Sequence, residues 1–206
     1  MNRQTLLHNQ LAHWDASIRD RLGDPEGYIR RGMVYFKLAQ IPESIRDFDR
    51  AEALDPRVKP YLWQRGLSYY YAGEFQAGAD QFEIDLTVNS RDLEETLWRY
   101  LCIARLRGVE EARSTLLPVS GDPRRVMRQV YTLFQGNCKP DEVINSGAWE
   151  GRSGRFYAHL YVGLYHEATG DELRSRHFIT RAATQYQVND YMWDLAVVHC
   201  QLRGWN

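Results

Sequence analysis

The sequence predicts an all-α chain built from repeated helical segments, and three observations carry that prediction. Two stretches match each other at a spacing of 34 residues, with Gly32 and Gly66 as the fixed point. Most other segments repeat their apolar residues at the period of a helix face. Glycines such as Gly73 and Gly170 stand where such segments stop, as helix ends require.

The elements follow in order. Residues 1–23 hold one amphipathic helix, with Leu7, Leu11, Trp14, Ile18 and Leu22 on one face. Residues 25–90 hold two clear repeats. Around Gly32 stand Tyr28, Tyr35, Ser44, Phe48, Ala51 and Pro56; at the same offsets around Gly66 stand Leu62, Tyr69, Gly78, Phe82, Asp85 and Ser90. Residues 91–154 are less regular. Leu93, Leu97, Tyr100, Leu101 and Ala104 share a helix face, and Tyr100 falls 34 residues after Gly66, so the register survives without the glycine. "VEEARSTLL" is its shorter partner. Asp122-Pro123 reads as an N-cap with proline at the first helical position, ahead of Val126, Val130, Leu133 and Phe134. "PDEVINSG" is a short companion helix, and "SGAWEGRSG" (146–154), with three glycines, is expected to be the loosest loop. Residues 155–187 form a further repeat around Gly163, with His159, His166, Ser175, Ile179, Ala182 and Gln187 at the matching offsets. Residues 189–206 make a final single helix. The two end helices are expected to cap the terminal hydrophobic faces.

These residues resemble the tetratricopeptide repeat, a 34-residue helix–turn–helix with the pattern W-x2-L-G-x2-Y … A-x3-F … P. The chain departs from it before the glycine, where Arg31, Arg65 and Val162 replace leucine. The resemblance implies an α-α superhelix of antiparallel helix pairs, about twelve helices, in one domain over 1–206. It implies that glycine lets two helices approach, that the aromatic residue three positions on fills the gap beside it, and that Phe48 and Phe82 plug the space toward the next unit. It also assigns the inner face. On the first helices of the two clear repeats, Met33, Phe36, Trp63, Leu67, Tyr70 and Tyr71 would line a concave groove, with Arg30, Gln64, Arg99 and Arg105 at or near it. Tyrosine, tryptophan and arginine are common hot-spot residues of interfaces. Aromatic residues at helical spacing are also common core residues, so Trp63 and Tyr70 have a structural alternative.

The function expected from this is a non-catalytic protein–protein interaction module, an adaptor or assembly factor holding a peptide or helix of another protein in its groove. The alternative is a structural subunit of a larger complex, or a self-associating scaffold. Relatives that clamp the terminal carboxylate of a chaperone use Lys and Asn at set offsets. Here those offsets hold Glu26, Arg30, Pro60, Gln64, Glu94 and Trp98, so no chaperone carboxylate clamp is expected.

Composition narrows the rest. The 206 residues carry 26 Lys+Arg against 27 Asp+Glu, which creates no field for nucleic acid. Arg124, Arg125 and Arg128 form a small basic patch, read as a solvated helix start. Glu94-Glu95 and Glu110-Glu111 are read as facing solvent. Neither a secretory signal, a lipobox cysteine nor an apolar run near the roughly 20 residues that span a bilayer is present, and three scattered cysteines suit a reducing compartment. A cytoplasmic protein without membrane insertion is the expectation. His159 and His166 are seven apart, two turns along one face, which is too far for one metal. His199-Cys200 point in different directions on a helix. Phosphate loops and the recognised hydrolase and metalloprotease motifs are absent. No catalytic residue, cofactor or metal is therefore assigned.

Overall fold

The structure, a computed structural model, describes residues 2–205. Among these there are twelve α-helices and one 3-10 helix, and no strand. The chain divides into two compact units, Met1–Val88 and Asn89–Asn206. Among the described residues no helix is long and apolar enough to cross a membrane.

Unit 1 holds α1 (Arg3–Asp20), α2 (Pro25–Lys37), α3 (Ile41–Leu54), α4 (Trp63–Ala72) and α5 (Phe75–Asp85), with a 3-10 turn at Pro56–Tyr61. Helices α2 and α3 pair, α4 and α5 pair, and α1 packs on α2. Asp24 caps α2 by accepting the Glu26 amide, and Pro25 starts the helix where its missing N–H costs nothing. Leu22 lies beyond the end of α1 and is 64% exposed, so only Leu7 and Ile18 of the expected stripe are fully buried.

Three hairpins share a turn over one residue in the left-handed region. Gly73 stands there in the second hairpin and Gly170 in the last, with φ of 80° and 81°. At the same offset in the first hairpin stands Ala39, with φ 59°. The backbone bond closing the turn is the same in all three: Gln40 to Tyr35, Glu74 to Tyr69, Asp171 to His166, at 2.9, 2.9 and 2.8 Å.

The small residue in each first helix acts as expected, but its filler is a different ring. A Cβ on Gly66 would come within 2.6 Å of the Phe82 ring, and one on Gly32 would meet Phe48 at 3.3 Å. Phe48 and Phe82 therefore seat on the glycine of their own hairpin. Tyr35 and Tyr69, three residues after each glycine, are only half-buried.

The arginines that replace leucine before the glycine form a ladder. Arg31 donates to Asp47 at 2.7 and 2.8 Å and to Asp15 at 2.8 Å. Arg65 donates to Gln81 at 2.9 and 2.7 Å and to Asp49 at 2.9 Å. Each partner lies 16 residues ahead or 16 behind. One guanidinium thus ties its own hairpin together and reaches back to the preceding helix. The Asp47 hydrogen bonds hold Arg31 ionised, its pKa above the usual arginine range.

Unit 2 holds α6 (Leu93–Arg107), α7 (Val109–Ser114), α8 (Arg125–Phe134), α9 (Pro140–Ala148), α10 (Gly151–Ala168), α11 (Glu172–Gln185) and α12 (Tyr191–Arg203). The pairs are α6 with α7, α8 with α9 and α10 with α11, and α10 also packs on α6, α8 and α9. The segment expected to be the loosest loop, 146–154, is instead a close helix crossing. Gly147 and Gly154 are buried, and a Cβ on Gly147 would stand 2.5 Å from the Gly154 carbonyl. Gly147 and Gly154 allow two backbones to touch, while Gly151, exposed and at φ 68°, serves the turn between the helices. Helix α8 starts later than Asp122-Pro123 suggests, at Arg125, because the Asp122 carboxylate engages the Arg124 amide and guanidinium before the helix begins.

Candidate functional site

The inner-face positions of unit 1 separate into two sets. Phe36 and Leu67 are fully buried, Tyr70 is 1% and Gln64 8% exposed. These four present almost no contact area to a partner, which corrects their assignment to the groove surface. Met33, Trp63 and Tyr71 are half-buried, and Arg30 is exposed.

Ring packing explains the division. Trp63, Leu67, Tyr70 and Tyr71 share one face of α4, being four, seven and eight residues apart. Tyr71 packs edge-on against Phe36 of α2 at 5.7 Å and against Tyr70 at 5.4 Å, and Tyr70 packs on Phe75 of α5 at 5.5 Å. Phe36 and Tyr70 thus sit beneath, and Tyr71 covers them. The Gln64 amide nitrogen lies 3.8 Å from Met33 Sδ, joining α4 to α2 at the same place. Arg30 pairs with Glu26 on its own helix at 2.6 Å, both exposed, a contact worth a few tenths of a kcal/mol. Beside the face, Tyr69 donates to Asp49 at 3.3 Å, and burial pushes its hydroxyl up to about 12.

Arg99 and Arg105 belong to unit 2. Arg99 donates to the Thr115 carbonyl, again 16 residues ahead, at 3.1 Å. It repeats the 16-residue arginine step within the α6–α7 hairpin, which is a structural role. Arg105 lies 3.6 Å from Glu167.

Unit 2 also contains a polar cluster that the sequence reading missed. Glu94, expected to face solvent, accepts from Arg124 at 2.6 Å and from the Tyr161 hydroxyl at 3.0 Å. Arg124, expected on a solvated helix start, also forks onto Asp122 and lies over the Tyr157 ring at 5.0 Å. Tyr157 donates to Asp190 at 2.8 Å. Burial raises the Glu94 pKa, and its bonds to Arg124 and Tyr161 only partly counter this. Burial pushes Asp122 up as well, but the Arg124 hydrogen bonds outweigh it and leave Asp122 low. The one signal was the position of Glu94 on an amphipathic first helix; its partners come from the residue preceding α8 and from α10, which spacing cannot bring together.

His159, His166 and His199 are buried packing residues, whereas His8, His13 and His177 are exposed. His166 stacks on Phe178 at 5.8 Å, and His159 bonds through Nδ1 with the Arg155 carbonyl at 2.8 Å. Among the described residues, no group of three His, Cys, Asp or Glu is arranged to hold a metal ion. Cys102, Cys138 and Cys200 are free thiols, and burial raises the pKa of each.

No family model matches the chain. It is similar to "Hsp70-Hsp90 organizing protein" of Triticum aestivum, 24% identical over 155 residues, which is 66% of this chain and 26% of that one. It is also similar to "Hsp70-Hsp90 organizing protein 3" of Arabidopsis thaliana, 23% identical over 141 residues, 62% of this chain and 25% of that one. The chain thus spans about a quarter of the length of the curated relatives it matches. Among solved structures it superimposes on a tetratricopeptide repeat protein from Parabacteroides merdae with a TM-score of 0.59 and 15% identity, over 97% of this chain and 78% of that one. Paired helices, glycine-seated rings and this superposition agree: the chain has the tetratricopeptide-repeat fold.

Proposed function

We propose that the chain is a non-catalytic protein–protein interaction module of the cytoplasm, an adaptor or assembly factor, and that α2 and α4 receive a segment of another protein. The observation that carries this reading is the ring-rich edge where Met33, Trp63 and Tyr71 stay half-exposed over a buried aromatic floor. Rigid aromatic side chains lose little entropy on binding and supply most of the energy at interface hot spots. The floor supports them: Phe36, Leu67 and Tyr70 are too well packed to move aside. A contact restricted to a few such side chains suits micromolar affinity, about 8 kcal/mol. The relatives named for organising Hsp70 and Hsp90 support the partner being a protein. The offsets of a carboxylate clamp hold Glu26, Pro60 and Glu94 in place of Lys and Asn, so the segment bound need not end in a free carboxylate.

Site-specific photocrosslinking tests this. A photoreactive phenylalanine at Trp63 or Tyr71 should capture one defined protein segment in cell extract. The same group at exposed Ala53 on α3 is the control. Equal, diffuse labelling from all three positions would refute the reading. Capture of Hsp70 or Hsp90 would name the partner, and a terminal carboxylate in the crosslinked segment would overturn the absence of a clamp.

A further inference from the structure

The second helices of three hairpins turn the same face to solvent, and counting from each repeat glycine aligns them. On α3 that face carries exposed Pro42, Arg46, Asp49 and Arg50; on α5 it carries exposed Gln76, Asp80 and Glu83. On α11 the matching residues are Leu173, Arg176, His177, Thr180 and Arg181. The face of α3 is mixed, with Arg46 on Glu43 at 2.9 Å, and that of α5 is acidic. The fold is thus met with different charge patterns, and it does not dictate the one on α11.

Along the face of α11 runs a shallow hollow of about 520 Å³, lined by Leu173, Arg176, His177, Thr180, Arg181 and Gln185. Its lining holds two arginines and no carboxylate. Arg181 donates to the neutral Gln185 amide oxygen at 3.1 Å, and among the described residues neither Arg176 nor Arg181 lies within ion-pair distance of an acid. The acids at the start of α11 are turned elsewhere: Asp171 pairs with Arg174 at 3.4 Å, and Glu172 lines a different hollow with Arg203 and Trp205. Burial lowers the pKa of His159, on α10 behind this face; its bond with the Arg155 carbonyl opposes that, and Arg181, His177 and Arg155 lower it further. The charges around it are of one sign. Leu173, at one end of the hollow, is 85% exposed, where the other two hairpins carry proline and glutamine. An apolar side chain of that size gains from being covered. From Leu173 to Gln185 the face runs about 18 Å, enough for three turns of a helix laid along it.

We propose that the outer face of α11 is a further docking surface and that its occupant is an acidic amphipathic helix of another protein. An apolar side chain of that helix covers Leu173, and Arg176 and Arg181 donate to its carboxylates. Charge complementarity selects the partner. The chain as a whole, with 26 Lys+Arg against 27 Asp+Glu, offers no broad basic field for nucleic acid. The surface lies in unit 2 and does not depend on the ring edge of unit 1.

The test titrates the full chain into a fluorescein-labelled helical peptide of leucine and glutamate, followed by anisotropy. One counterpart carries glutamine in place of glutamate, and another carries alanine in place of leucine. The acidic amphipathic peptide should bind saturably and both counterparts more weakly. Leu173→Ser and Arg176→Glu alter exposed side chains and leave the fold intact; each should weaken binding by about tenfold. Arg46→Glu, the same charge change on the matching face of α3, should leave it unchanged. Absence of saturation, equal binding of either counterpart, or full binding by Leu173→Ser or Arg176→Glu would overturn the surface. Tighter binding of a single-stranded oligonucleotide would overturn the partner class. A dimer of the chain alone in sedimentation that Arg176→Glu dissociates would give the face to a second copy, whose α5 carries Asp80 and Glu83, and would overturn the separate partner.

Discussion

Arg65→Ala tests the arginine ladder. The Arg65 side chain is 5% exposed, and its guanidinium contacts Gln81, Asp49 and Glu52, the last at 2.6 Å. These contacts contribute unequally. Asp49 is 51% exposed and rehydrates when the arginine goes, so its loss costs little. Glu52 keeps Lys59 at 3.0 Å and is 26% exposed, so its loss is of the order of 1 kcal/mol. Gln81 is 3% exposed, and its Oε1 receives both Arg65 bonds while its amide nitrogen is committed to Asp85 and the Lys59 carbonyl. Orphaning that oxygen costs about 1–3 kcal/mol. The total, about 3 kcal/mol, matches the usual cost of breaking a buried polar pair from one side.

Urea unfolding followed by tryptophan fluorescence measures it. Arg46→Ala is the control, because Arg46 is 71% exposed and pairs only along its own helix. A double-mutant cycle of Arg65 with Gln81 should return a coupling of about 1–3 kcal/mol. If Arg65→Ala costs no more than Arg46→Ala, the ladder is ornamental and the account of the motif's missing leucine is wrong.

Two further predictions concern a turn and a titration. Ala39→Gly should raise stability by about 1 kcal/mol in the same urea assay, because alanine at φ 59° bears a left-handed strain that Gly73 and Gly170 avoid; a decrease would show that the turn is unstrained. His199 is fully buried with its pKa lowered from 6.5 to about 4, so its contribution is complete above 6.5 and is lost as pH falls toward 4, up to about 3 kcal/mol. Wild type compared with His199→Leu at pH 7 and near pH 4 should show the steeper fall in wild type, and parallel curves would refute the assignment.

The repeat was legible because it is written in single residues at fixed offsets. Gly32, Gly66 and Gly163 mark close helix approaches whatever surrounds them, and the structure places a ring or branched side chain 16 residues on against each. The inner face was less legible because an offset names a side of a helix and not a depth. Phe36 and Tyr71 lie on the same side, yet Tyr71 covers Phe36, and only the packing angle between α2 and α4 decides which is outermost. The glycines at 146–154 were misread for a related reason: glycine marks either a loose backbone or a very close one, and only the neighbour at Gly154 tells them apart. The Glu94 cluster was out of reach, since its members come from distant segments with no common spacing.

The spacing of 16 also accounts for what the motif loses and keeps. Sixteen residues lead from the first helix of a hairpin to the point on the second helix that faces it. Gly32, Gly66 and Gly163 use that step for a steric fit, and their preceding neighbours Arg31 and Arg65 use it for a charged or amide contact. At α6 the glycine is gone and Tyr100 fills its place, yet Arg99 still bonds 16 residues on. The polar contact therefore preserves the hairpin register where the steric one has been replaced. In the last hairpin the exchange runs the other way: Val162 replaces the arginine, and the fit of Gly163 against Ile179 remains. In these four hairpins at least one of the two contacts is kept. This leaves the other offsets free to vary, from the rings of Phe36 and Tyr70 in unit 1 to the carboxylate of Glu167 at the same offset in unit 2.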